Sequence, residues 1–346
     1  MFRFLQRLTL AAMVLASGGL AAAPRDGIDV RLTATAPVLR GDVDVRVTVS
    51  VTNTNRHPVN LLRWQLPADE VEGALFNITR DGERVAYTGP LVKRAAPGPA
   101  DHLRLDAGAT LSYEVELTAA YDLSHSGRYA VEYASRGRHG ANAAELRSEM
   151  LYLWLEGRSG KGQAAPAAPP VSTAASIGYT GNCSASQQST LVSAVAAATS
   201  YANGAVSYLN GTPSATQRYV KWFGAFSSGG WSTAKTHFTS IQGAFTTQAL
   251  TLDCKCKKPS TYAYVYPSQP YKIYLCGAFW NAPLTGTDSK GGTLIHEMSH
   301  FTVVAGTDDW AYGQTAAANL ALTDPAKALD NADSHEYFAE NTPVLP

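Results

Sequence analysis

The chain has 346 residues, 45% hydrophobic and 16% charged, with 28 basic side chains balanced by 28 acidic ones. That length allows two domains of ordinary size, and the balanced charge carries no polyanion-binding signature, so nucleic acid is not an expected partner. Beyond the N-terminus no segment is apolar enough for a transmembrane helix, and no membrane association is expected.

Residues 1–23 read as a signal peptide. Arg3 and Arg7 make a basic start, Leu8 to Leu20 is apolar but too short for a permanent anchor, and Ala21-Ala22-Ala23 offers a cleavage site. The mature protein is expected outside the cell.

Residues 24–157 alternate apolar and polar positions between turn residues, as in Val43 to Val51, Leu111 to Leu117 and Tyr129 to Tyr133. Many short alternating strands predict an all-β antiparallel sandwich, immunoglobulin-like in outline. It holds no cysteine, and His57, His102, His125 and His139 are scattered as surface residues would be. Residues 158–176 are rich in Ala, Pro, Gly and Ser without periodicity, which predicts a flexible linker open to proteolysis. Signal peptide, sandwich and linker in that order make the sandwich an expected prodomain.

Residues 177–346 predict a mostly helical α+β domain. Thr190 to Ala198, continuing toward Leu209, then Ala215 to Phe223 and Thr233 to Gln248 have helical spacing. Tyr262, Tyr264 and Tyr266 alternate, Pro267 to Pro270 turns, and Tyr271 to Cys276 returns, a β-hairpin that could pair with an extended peptide. The four cysteines predict two disulfides in an exported protein; Cys254 and Cys256 are poorly placed to bond each other, and Cys-x-Cys lacks usual zinc-ligand spacing.

The chemistry concentrates in Gly292 to Gly313. His296 and His300, four apart on a helix, converge on one ion, with Glu297 beside them as a general base. A catalytic zinc takes three protein ligands and leaves one open position, so a third ligand must follow after the chain turns back. Gly306 reads as the helix stop, with Asp309 shortly beyond and Asp308 as its rival. Residues 297–346 hold eight acids against one base, Lys327, so this half of the site is acidic. Thr323-Asp324-Pro325 opens a helix on which Asp333 and Glu336 share one face.

His296-Glu297-x-x-His300 followed by Gly306-Thr307-x-Asp309-x-x-Tyr312-Gly313 resembles the aspzincin signature of the deuterolysin and peptidyl-Lys metalloendopeptidase family. The resemblance covers about residues 177–346 and does not reach the sandwich. It implies one Zn²⁺ held by His296, His300 and Asp309, Glu297 as catalytic base and Tyr312 as oxyanion donor. It also implies disulfides Cys183–Cys254 and Cys256–Cys276. Residues 331–338 resemble the segment of the peptidyl-Lys enzymes in which two acids grip a lysine. Carried over, these acids are Asp333 and Glu336, with Tyr262 as an aromatic wall. Two carboxylates in a desolvated pocket favour a compact cation.

Lysine usage fits that resemblance. Residues 24–157 carry fourteen arginines and one lysine, Lys93, whereas residues 177–346 carry eight lysines and one arginine. A prodomain beside a lysine-directed protease gains by avoiding lysine. Lys161 in the linker is then an expected processing site, and Lys93, in a loop-like stretch, an expected inhibitory mimic in the specificity pocket. The expected function is a secreted, monomeric zinc endopeptidase zymogen cutting Xaa-Lys bonds of protein substrates, with its prodomain as intramolecular inhibitor. The alternatives are broad deuterolysin-like cleavage and a non-catalytic zinc-binding or adhesion protein.

Overall fold

The computed structural model describes residues 27–68, 71–135, 146–160 and 176–346. The expected signal peptide, Lys161 and nearly all of the expected linker lie outside the described residues.

In the N-terminal half, strand Arg46–Asn53 buries every second side chain, as its alternation dictates. It is the centre of a three-stranded antiparallel sheet with Ile28–Ala34 and Thr110–Glu116 on its flanks. A second sheet runs in the order Val38–Arg40, Leu151–Glu156, Gly127–Tyr133, Phe76–Arg80 and Glu83–Arg84. Val47, Val49 and Val51 of the first sheet share one core with Phe76, Ile78, Tyr129, Val131, Leu153 and Leu155 of the second. The expectation of purely antiparallel pairing is corrected at one edge, where Val38–Arg40 runs parallel to Leu151–Glu156. The chain changes sheets at Pro37, whose carbonyl accepts a hydrogen bond from the Trp154 backbone.

The C-terminal half starts at strand Ser176–Thr180, so regular structure begins inside the expected linker boundary. Its longest helix, Ala185–Leu209, opens with a Ser184–Gln187 capping box and turns Ala194, Ala198, Ala202 and Ala205 inward. Helices Gln217–Phe223 and Ser228–Thr247 follow, the latter starting several residues before the predicted Thr233 because Ser227 caps it. The tyrosine hairpin forms as predicted, with Thr261–Val265 antiparallel to Lys272–Leu275. The disulfides are Cys183–Cys254 and Cys256–Cys276. The former closes a separation of 71 residues, a loop long enough for roughly 4 kcal/mol in the chain-entropy account.

Three expectations are corrected here. Helix Lys290–His300 ends at His300, not at Gly306; the Phe301 carbonyl then accepts from Val304, Ala305 and Gly306 in a tight turn that Gly306 completes with a φ of +63°. Asp333 and Glu336 do not lie on the helix opened by Pro325. That helix is Pro325–Leu329, and a break at Asp330 and Asn331 starts a separate helix, Ala332–Glu340. Lys93 is not in a loop: Leu91–Arg94 is a strand, antiparallel to Thr261–Val265, and the edge strand of the C-terminal half's five-stranded sheet. Its four residues are all buried because both faces are covered, which erases the alternation a half-exposed strand would show.

Candidate metal centre and lysine pocket

Every residue of helix Lys290–His300 is buried, so its polar side chains need partners or an ion. Ser289 caps the helix by accepting from the Gly292 amide. The chain beyond it is pinned by Thr307, whose amide donates to the Ser299 carbonyl, and by Asn331, whose side-chain oxygen accepts from Trp310 and Ala311. These anchors deliver Asp309 to the two histidines.

His296 Nε2 lies 3.2 Å from Asp309 Oδ1, and His300 Nε2 lies 3.4 Å from the same oxygen. All three atoms are buried without a hydrogen bond among the described residues. His300 Nδ1 lies 2.8 Å from the Thr307 carbonyl, which fixes its proton there and leaves Nε2 a lone pair. Lone pairs facing a carboxylate oxygen in a dry site are repulsive unless a proton or a metal cation lies among them. Their spacing matches the edge of a tetrahedron around zinc, roughly 3.3 Å for ligand bonds near 2 Å. The residues fit the ion. Burial works against a charge on His296, but Asp309 and Asp333 outweigh it and raise its pKa well above the ordinary value. Burial also opposes the charge on Asp309, yet His300 and His296 hold its carboxyl well below the usual range.

Glu297 has both carboxylate oxygens buried and unpartnered among the described residues. Burial pushes its pKa up to about 7, with the neighbouring histidines pulling the other way. A carboxyl poised there exchanges protons at neutral pH.

Strand Leu91–Arg94 lies directly against this centre. The Tyr312 hydroxyl donates to the Val92 carbonyl at 2.8 Å, and the Val92 amide donates to Asp309 Oδ2 at 3.2 Å. Burial, and then Asp309, raise the Tyr312 pKa well above that of a free phenol, so it stays a donor. Gly313 lets the segment just after the strand approach, since a Cβ there would stand 2.6 Å from Ala96 Cβ.

The Lys93 side chain enters a pocket in which it is fully buried. Its ammonium donates to Glu336 Oε2 and lies 3.6 Å from Asp333 Oδ1 and 3.6 Å from Asp288 Oδ1. The Tyr262 ring centroid is 5.1 Å away. Burial pushes the Lys93 pKa down, but Glu336, Asp333 and Asp288 together raise it well above the ordinary value. Burial raises the Glu336 carboxyl; Asp333, also penalised by burial, ends lowered by the Lys93 charge and by His296. Asp333 also joins pocket to metal centre, with Oδ1 2.8 Å from His296 Nδ1 and Oδ2 accepting from the Gly313 amide.

All of the expected site residues within the described chain therefore converge: His296, His300, Asp309, Glu297 and Tyr312 at one point, Asp333, Glu336 and Tyr262 around Lys93. Sequence reasoning missed Arg94, which donates to both the Val92 carbonyl and the Tyr312 hydroxyl at 3.3 Å and is ion-paired to Glu72. It also missed Lys258, which pairs with Glu72 from the other half, and Asp288. Glu72 and Lys258 are brought together by tertiary packing alone, and no local pattern marks them.

Residues 208–340 match the aspzincin family model described as lysine-specific metallo-endopeptidase. Over 344 residues the chain is 47% identical to an extracellular protease of Aeromonas hydrophila, covering 96% of each chain. It is 37% identical over 353 residues to a peptidyl-Lys metalloendopeptidase of Grifola frondosa, covering 96% of this chain and 98% of that one. Among solved structures, a zinc peptidase from Grifola frondosa is 49% identical over 47% of this chain and all of its own, with a TM-score of 0.45. No helix among the described residues is long and apolar enough to cross a membrane. Full-length similarity at this level, on a chain whose buried histidines and carboxylates fit the ion, shows that it belongs to the aspzincin family of zinc metalloendopeptidases.

Proposed function

We propose that the chain is the latent form of a secreted endopeptidase cutting on the amino side of lysine, and that its N-terminal half blocks the site by presenting Val92–Lys93 as a substrate would be presented. One observation carries this reading: the Lys93 ammonium lies among Asp333, Glu336 and Asp288 while the carbonyl just before it accepts from Tyr312. Strand pairing with Thr261–Val265 then fixes the register of the peptide, as β-augmentation does for extended ligands.

His296, His300 and Asp309 would hold the zinc, which when bound would supply a Lewis acid to polarise the carbonyl and acidify water. Glu297 takes the proton from the attacking water and passes it to the leaving lysine amine. Tyr312 donates to the carbonyl oxygen as negative charge grows on it. Asp333 and Glu336 hold the ammonium, and Tyr262 lines the pocket. Arg94, braced by Glu72 and Lys258, fastens the strand from the N-terminal side. Lys161, in the linker between the halves, is the proposed first cut.

The test is mass spectrometry of an unfolded protein digested by the processed enzyme, with and without a zinc chelator. Chelator-sensitive peptides that nearly all begin with lysine are expected. Mixed termini would refute the pocket assignment and leave the metalloprotease.

A further inference from the structure

We infer that Asp288 is the third carboxylate of the lysine pocket, standing at its solvent side and setting how tightly an ammonium is gripped. The inference rests on reading Asp333 and Glu336 as that pocket. An ammonium has three N–H donors, and in a dry pocket each needs an acceptor. Glu336 Oε2 receives one of them directly. Asp333 is shared: one oxygen accepts from the Gly313 amide at 2.6 Å and the other faces His296 at 2.8 Å. Asp288 Oδ1, 3.6 Å from the Lys93 nitrogen, supplies negative charge from a different element, the loop that leads into the metal helix.

The position of Asp288 is built. Its Oδ1 accepts from the Tyr337 hydroxyl at 2.7 Å, and that ring in turn has its centroid 6.0 Å from the Lys93 nitrogen. Its backbone stands in the left-handed region, φ +51°, where an L side chain is disfavoured. The Glu340 carboxyl holds it there by accepting from the Asp288 amide at 3.2 Å and the Ser289 amide at 2.9 Å. Gly292 is required for this clasp, because a Cβ there would come within 2.0 Å of Glu340 Oε1. Whereas Asp333 and Glu336 are fully buried, the Asp288 side chain is 32% exposed, which places it where an entering ammonium first sheds water. Asp333 and Glu336 both approach His296 Nδ1, at 2.8 and 3.5 Å, whereas Asp288 is tied to Tyr337; it grips the ammonium without holding a metal ligand.

The experiment uses the zinc-loaded enzyme matured from the full chain, as wild type, Asp288→Asn and Tyr337→Phe. Steady-state kinetics on an Xaa-Lys peptide is paired with n-butylamine as a competitive probe of the pocket and acetohydroxamate as a probe of the metal. Asp288→Asn is expected to raise KM and the n-butylamine Ki about tenfold, with kcat within about twofold. Tyr337→Phe should shift both constants less, in the same direction. Acetohydroxamate affinity and zinc content should stay constant, which separates the effect from misfolding. Wild-type KM and Ki in Asp288→Asn, or a fall in kcat and zinc content with Ki unchanged, would overturn the proposal. Loss of lysine preference in the wild type itself, with no competition by n-butylamine, would overturn the pocket reading and this proposal with it.

Discussion

The two halves of the chain treat charge in opposite ways. In the N-terminal half, arginines and acids pair on the surface, as Arg46 does with Glu114 and Glu116, and the shared core is hydrocarbon and tyrosine. In the C-terminal half, His296, Glu297, His300, Asp333, His335 and Glu336 are all fully buried. Exposed pairs contribute little, whereas burying charge is costly and persists where partners or an ion compensate. Among the described residues, the charged side chains that the N-terminal half buries are the adjacent Lys93 and Arg94, and both are buried against the other half. The N-terminal half thus departs from its own rule, among the described residues, in strand Leu91–Arg94, where it meets the other half.

That comparison can be broken most severely at Glu297. Glu297→Gln should lower kcat/KM by about 10⁴-fold while zinc content, read by elemental analysis, stays at one per chain. An active variant would remove the buried base from the account. Glu336→Gln should cut discrimination for lysine by about 100-fold, measured as the ratio of kcat/KM on matched Xaa-Lys and Xaa-Met peptides. An unchanged ratio would mean that the buried acids serve packing alone.

A pH experiment sharpens the comparison within the C-terminal half. His335 is fully buried beside His237, whose Nδ1 lies 3.0 Å from His335 Nε2, and burial depresses the His335 pKa to about 3. The unfolded chain, with an ordinary histidine pKa near 6.5, binds that proton first, so stability is fully present above that pH and is lost progressively as pH falls toward 3. Between pH 7 and 5 the His335 contribution to that loss should be about 2 kcal/mol, read as the change over this window in the stability difference between wild type and His335→Asn from denaturant unfolding. An equal slope in the variant would assign the pH dependence elsewhere. The smallest effect is expected at the boundary: Glu72→Gln should loosen the hold of the N-terminal half about tenfold once the linker is cut, seen as a faster rise of activity.

Much of the site was legible because it is local. Spacing on one helix marks His296, Glu297 and His300, whereas in the loop from Gly306 to Gly313 spacing left Asp308 as a rival and the resemblance to the aspzincin signature pointed to Asp309 and Tyr312. The pocket acids were legible as a pair three apart, but not the helix break at Asp330 and Asn331 that starts their helix afresh. The Leu91–Arg94 strand was the hardest element to read. Alternation marks strands with one wet face, and a strand buried on both faces against a distant partner has none. Its lysine stood out only by composition, as the lone Lys93 among arginines. Asp288, Glu72 and Lys258 carried no such mark, since their partners lie from about 20 to nearly 200 positions away in the chain.

The most direct test of the central claim is the initial rate at which the intact full-length chain cleaves an Xaa-Lys peptide, wild type against Lys93→Ala, before any processing is visible by mass. With the lysine in its pocket the wild type should be nearly silent. Its removal leaves Asp333 and Glu336 without their cation in the closed state and should raise the rate about 100-fold. Equal latency in the two chains would contradict the claim that Lys93 holds the enzyme shut.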